Sequence, residues 1–78
     1  MRRGRITGFV GSWGSGLAYL VIDGQPIACD NGPTVRALAA MFEEVVQPGH
    51  RVNLAAIAGQ EVLYEVDELG LLSALALP

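Results

Sequence analysis

The stretch LAYLVIDGQPIAC, residues 17–29, decides how this chain folds. Its first six residues form a continuous apolar run rich in β-formers, which is typical of a buried strand. Asp23-Gly24 follows, and an Asp-Gly pair between two apolar runs is the strongest short-range hairpin signal, because the turn needs positive φ. The next five residues are the partner strand. Pro26 has no N–H to donate, so we expect this strand to lie at an edge of the sheet or to begin just after the proline.

The segment before the hairpin predicts one more strand. Residues 3–10 alternate loosely between polar and apolar side chains. Residues 11–16, GSWGSG, surround one indole with glycine and serine, so they are expected to form a loop or a sharp bend.

The segment after the hairpin predicts a helix. Residues 30–34, DNGPT, offer Asp30 or Asn31 as the capping residue and a proline suited to the first turn. The apolar residues that follow fall at helical spacing and form one stripe: Val35, Leu38, Ala39, Phe42, Val45 and Val46. We expect the helix to end at Val45 or Val46, just before a Pro-Gly pair.

Two further strands are expected in the last third of the chain. Residues 51–58 and residues 61–67 both alternate, and the Gly-Gln pair between them indicates a turn. Leu63 breaks the second pattern, because it is an apolar residue on an otherwise acidic face.

The predicted fold class is mainly β with one α-helix, in a single domain over residues 1–78. The element order, strand–strand–strand–helix–strand–strand, is that of a five-stranded OB-type barrel. The helix would then close one end of the barrel. An SH3-like barrel with an inserted helix is the alternative.

One part of the chain also resembles a known family. The residues that carry the likeness are Gly4, Ile6, Phe9, Gly14 and Gly16. They match the opening of the cold-shock domain, G-x-V-x-x-F followed by a loop and a G-F-G-F-type strand. The resemblance covers residues 4–24 and implies an OB-like strand pair. Ser15 and Leu17 stand where that family has base-stacking aromatics, so it carries over no nucleic-acid-binding residue.

Composition narrows the functional classes. Half of the 78 residues are apolar and ten are glycine, which suits a small fold with many tight turns. The net charge is −3, with +2 in residues 1–36 and −5 in residues 37–78. An acidic chain is a poor general polyanion binder. No apolar run is long enough to cross a membrane, and a single cysteine gives no sign of an oxidising compartment, so we expect a cytoplasmic protein.

Catalytic and metal-binding signals are weak. Cys29, Asp30 and His50 are the one tempting catalytic set, but a cysteine within an apolar strand usually behaves as a small buried hydrophobe. One cysteine and one histidine are too few for a structural zinc site. The glycine-rich loop is no phosphate-binding loop, because the chain contains no lysine and a strand follows. We expect no enzyme activity, no metal and no cofactor.

The C-terminal segment, residues 69–78, gives the leading functional hypothesis. The leucines proposed for self-association are Leu63, Leu69, Leu71, Leu72, Leu75 and Leu77. Burying the five leucines of the segment is worth about 8–15 kcal/mol, at about 1.5–3 kcal/mol each. We therefore expect this segment to pack on its own barrel or on a partner chain, and we favour a homodimer.

The alternative function is binding of single-stranded nucleic acid. Trp13 and Tyr19 would stack on bases, and Arg3 and Arg5 would contact phosphates. The negative net charge makes this partner less favoured than a second copy of the chain.

Overall fold

The chain folds into seven strands and two helices over the residues that the structure describes. The computed structural model describes residues 1–11, 16–49 and 51–78. Trp13 and His50 therefore lie outside the described residues. The elements in chain order are β1 (Arg2–Val10), β2 (Leu17–Ile22), β3 (Gln25–Asp30), α1 (Asn31–Met41), β4 (Val46–Gln47), β5 (Arg51–Val52), α2 (Leu54–Ile57), β6 (Glu61–Val66) and β7 (Leu72–Ala76).

The main sheet has five antiparallel strands in the order β3-β2-β1-β6-β7, and β4 and β5 form a separate two-stranded ribbon. The first half of β1 pairs with β6 and the second half pairs with β2. The two edge strands of the main sheet approach each other through a parallel bridge between Ala28 and Leu71. The mainly β class with a long helix after the third strand is thus confirmed.

The hairpin over residues 17–29 forms as expected. Ile22 pairs with Gln25 across the turn, and the register continues to Leu17 opposite Asp30. Asp23 has φ of 50° and Gly24 has φ of 78°, which are the positive values that this tight turn requires. Pro26 lies on the edge strand, where its missing N–H is tolerated.

The core lies between one face of the sheet and α1. Its buried apolar residues are Ile6, Ala18, Leu20, Ile22, Cys29, Leu38, Val45, Ile57 and Val62. Gly4 permits the close approach of β1 to the hairpin end, because a Cβ there would lie 2.8 Å from Asp23 Oδ2 and would overlap Ile22.

Helix α1 ends at Met41, several residues before the expected boundary at Val45 or Val46. Phe42 is extended and Glu44 has φ of 59°, so the chain turns there without a glycine or a proline. This turn brings Val45 into the core, while Val46 remains exposed. The apolar periodicity continues past the helix because the turn keeps Phe42 and Val45 directed towards the same core. Asp30 occupies the N-cap position, but its side chain makes no capping hydrogen bond.

The strand expected over residues 51–58 is also wrong. Only Arg51–Val52 is extended, and Leu54–Ile57 forms one helical turn. Alanine has the highest helix propensity, and two alanines lie inside this turn. Asn53 Nδ2 donates to the backbone oxygen of Glu44 at 3.1 Å, which ties this segment to the turn after α1. Ile57 then enters the core.

The fifth strand of the main sheet is supplied by the C-terminal segment instead. β7 pairs with β6, with Leu63 opposite Ala76 and Tyr64 opposite Leu75. Leu72 and Leu75 pack against the core. Within the segment, β7 thus packs on the chain's own fold, whereas Leu69 and Leu77 are exposed.

Candidate functional site

Strand β2 presents an apolar face to solvent as well as to the core. Ala18 and Leu20 are fully buried, so the alternating residues between and beside them point away from the core. Of these, Leu17 is 53% exposed and Tyr19 is 39% exposed. A strand that is apolar on both faces needs a further explanation when one of those faces lies on the surface.

The exposed face extends across four chain segments. Tyr19 pairs with Val10 on β1 and with Ala28 on β3, and Ala28 is bridged to Leu71. Val10 is 64% exposed, and Leu71 and Ala28 are partly exposed. We call this surface the outer apolar face, and it consists of Val10, Leu17, Tyr19, Val21, Ala28 and Leu71. None of its side chains is charged.

At one side of the outer apolar face, a β-bulge in β1 determines which side chains of this strand point outward. The register shifts between Ile6 and Gly8, so that Phe9 packs against the core and Val10 points outward. Thr7 Oγ1 stabilises the bulge, because it accepts a hydrogen bond from the N–H of Gly24 at 3.0 Å. A Cβ at Gly8 would lie 3.3 Å from a methyl group of Val21, so the glycine allows this side chain to pack closely against β1.

At the other side of the outer apolar face, the turn between β6 and β7 determines where Leu71 lies. Asp67 Oδ1 accepts hydrogen bonds from the backbone N–H groups of Leu69 and Leu71, each at 2.9 Å. This arrangement fixes Leu71 beside β3, and it directs Leu69 into solvent, where 81% of it is exposed.

The leucines proposed for self-association do not form one patch. Leu72 and Leu75 pack against the core, and Leu71 joins the outer apolar face. Leu63 lies between Arg3 and Ala76 on a different part of the sheet surface. Leu69 and Leu77 flank opposite ends of β7, whose five residues separate them by roughly 20 Å. A single interface centred on β7 would therefore contact only part of the set.

The residues proposed for nucleic-acid contact are also separated. Tyr19 lies at the centre of the outer apolar face, whereas Arg3 and Arg5 lie on the half of β1 that pairs with β6. Both arginines face Glu61, at 3.4 Å and 3.6 Å between the charged atoms. Arg5 Nη1 also donates to the backbone oxygen of Gly59 at 3.0 Å. These arginines are thus engaged in contacts within the chain.

Cys29 and a metal site are the other chemical candidates that the sequence offers. Cys29 is a free thiol buried in the core. Across the described ranges, no three histidine, cysteine, aspartate or glutamate side chains lie close enough together to hold a metal ion. No helix in the described part of the chain is long and apolar enough to cross a membrane.

Sequence reasoning identified Tyr19 and Leu71 but missed Val10 and Ala28 as parts of one surface. The two-residue turn could have revealed Ala28, because it fixes the hairpin register and places that residue opposite Tyr19. Val10 carries no such signal, because the bulge in β1 reverses the side to which it points.

Comparison with known proteins adds no functional information. The chain matches no family model, no curated protein and no solved structure.

Proposed function

We propose that this chain is a non-enzymatic assembly module that self-associates through the outer apolar face. One observation carries the proposal: Val10, Tyr19, Ala28 and Leu71 form a continuous row across four chain segments, and Val10 and Tyr19 in this row are 64% and 39% exposed. A contiguous apolar surface on a small domain is characteristic of a binding site. The C-terminal segment contributes to it through Leu71, with Leu69 at its margin.

We further propose that the sheet curves into an OB-like barrel. In favour of this topology, β1 pairs with both β2 and β6, and the third and last strands of the sheet meet through a parallel bridge. OB-type barrels bind their ligands on the outer face of the second and third strands. The outer apolar face lies on the same two strands, β2 and β3. An SH3-like barrel is less consistent with this strand order.

A second copy of the chain suits this face better than a polyanion does. The six side chains that form the face are uncharged, and Asp30 lies at its end, opposite Leu17. Phosphate binding draws its affinity from arginine and lysine. Arg3 and Arg5, in the first half of β1, are paired with Glu61.

Single-stranded nucleic acid remains the second candidate, and the exposure of Tyr19 favours it. A base stacked on an aromatic side chain contributes about 1–3 kcal/mol, and Tyr19 lies on the strand where OB-type barrels bind oligonucleotides. Fluorescence anisotropy with labelled single-stranded DNA and RNA tests this candidate. Binding that weakens with added salt and disappears in Tyr19→Glu would favour the nucleic acid over a second copy.

Replacing Tyr19 by glutamate tests self-association. We expect the unchanged chain to show a rising mean mass as its concentration increases from about 1 μM to about 1 mM, and the Tyr19→Glu chain to remain monomeric. The reason is that the substitution places a carboxylate at the centre of the contact in both copies. Light scattering coupled to size-exclusion chromatography measures both masses.

Leu54→Glu is the matched control for this experiment. Leu54 is another exposed apolar residue, but it lies on α2, outside the outer apolar face. Its substitution should leave association unchanged. If the unchanged chain is monomeric at every concentration, or if both variants behave alike, the proposal is wrong. Circular dichroism of each variant shows whether the fold is retained, and Leu17→Thr replaces Tyr19→Glu if it is not.

A further inference from the structure

The side chains of the outer apolar face differ in size from strand to strand. Strand β2 carries its large side chains, Leu17, Tyr19 and Val21, and these form a ridge. Ala28 lies directly beside the centre of the ridge, and Leu71 stands on its far side. Because Ala28 is small and its neighbours are larger, it leaves a shallow depression on β3 between Pro26 and Asp30, which we call the β3 groove.

We infer that two copies of the chain pack by placing the β2 ridge of each into the β3 groove of the other, with Tyr19 of one copy over Ala28 of its partner. This inference rests on the proposed function, and it specifies how the two associating copies pack against each other. A two-fold axis that lies in the plane of the interface, parallel to the strands and over the gap between β2 and β3, exchanges ridge and groove. The same surface is then used by both copies, as in most homodimers.

The charge distribution supports a second copy as the occupant. A two-fold contact brings each residue near the axis close to its own equivalent, so any charge at the centre would repel itself. Tyr19, Ala28 and Val21 are uncharged. Asp30 lies one pair further along, opposite Leu17, where it stays at the edge of the contact.

The size of the face sets the expected strength of the dimer. A standard interface buries about 800 Å² on each partner, which would be about a sixth of the 4820 Å² surface of this chain. The face spans four segments about 4.8 Å apart, so its two outermost segments are roughly 14 Å apart, and the face lies at the low end of interface sizes. We therefore expect a reversible dimer with a Kd in the range of about 10–100 μM.

A size-swap experiment tests the ridge-in-groove packing. Tyr19→Ala removes the large side chain, Ala28→Tyr fills the groove, and the double variant exchanges the two positions. Each single variant should raise the dimer Kd at least about tenfold, because one leaves a cavity and the other a clash. The double variant should return to within about threefold of the unchanged chain, because the two-fold axis again sets large against small. Sedimentation equilibrium measures all four constants.

The outcomes separate the packing from the proposed function. A monomeric unchanged chain overturns both. A dimer that neither single variant weakens shows that another surface is used. If both single variants weaken the dimer and the double variant does not restore it, the dimer uses the outer apolar face, but Tyr19 does not pack over Ala28. Thermal melts establish that each variant folds, and Ala28→Leu replaces Ala28→Tyr if the latter does not.

Discussion

A chain that ends at Glu68 is expected not to fold. Such a chain lacks β7 and with it Leu72 and Leu75, both of which pack against the core. Each buried leucine contributes about 1.5–3 kcal/mol, and β6 would lose its pairing with β7 along its length. A domain of 78 residues has about 4–12 kcal/mol of net stability. The free energy lost with β7 is therefore comparable to the net stability of the whole domain.

Circular dichroism and thermal denaturation measure this loss. The matched control ends at Ala76, which removes Leu77 and Pro78 but keeps all of β7. That chain should melt within a few degrees of the full chain, because Leu77 is 52% exposed. A cooperative, folded chain ending at Glu68 would show that β7 contributes little to the core. The result also matters for assembly, because an unfolded truncation cannot report on self-association.

Replacing Leu38 by alanine is expected to give the largest destabilisation of any alanine substitution in α1. Leu38 is fully buried and belongs to the cluster that joins this helix to the sheet. Removing the leucine side chain loses its burial and leaves a cavity, which costs about 2–5 kcal/mol. This cost is up to half or more of the net free energy of unfolding of a domain of this size.

Denaturation by urea, followed by circular dichroism, measures the change in the free energy of unfolding. Ala39→Ser is the control on the same helix, because Ala39 is exposed although the apolar periodicity assigned it to the buried stripe. We expect it to alter the stability by less than about 0.5 kcal/mol. Equal effects of the two substitutions would mean that α1 does not pack through Leu38.

The sequence is most informative where local signals agree with the tertiary structure. The Asp-Gly turn, the apolar run before it and the edge proline all indicate the same hairpin, and β2 and β3 form with the expected register. The helix start after β3 is likewise predictable from Pro33 and the residues around it.

Residues 42–58 show where such reasoning fails. The expected helix end relied on Pro48-Gly49, but that pair forms the turn between β4 and β5 instead. The chain leaves α1 earlier because Val45 gains burial in the core, a tertiary contact that local propensity does not contain. A buried Ile57 similarly fits either a strand or a helical turn, so the alternation over residues 51–58 could not distinguish the two.

The candidate site was only partly predictable for a related reason. The hydrophobicity of residues 69–78 predicted a packed segment, but it could not say which leucines face inward. Leu72 turns to the core and Leu71 to the surface because the strand alternates, and the hydrogen bonds of Asp67 fix where that alternation begins. Two neighbouring leucines with the same sequence signal thus have different roles.

A dilution series followed by ¹⁵N–¹H correlation NMR tests the central claim most directly. If two copies meet through the outer apolar face, the amide signals of β2, of β3 around Ala28 and of Leu71 should shift together with concentration along one binding curve. Signals from α2 and from the Arg3–Glu61 region should stay fixed. Spectra that do not change with concentration, or changes confined to those other regions, would contradict the account.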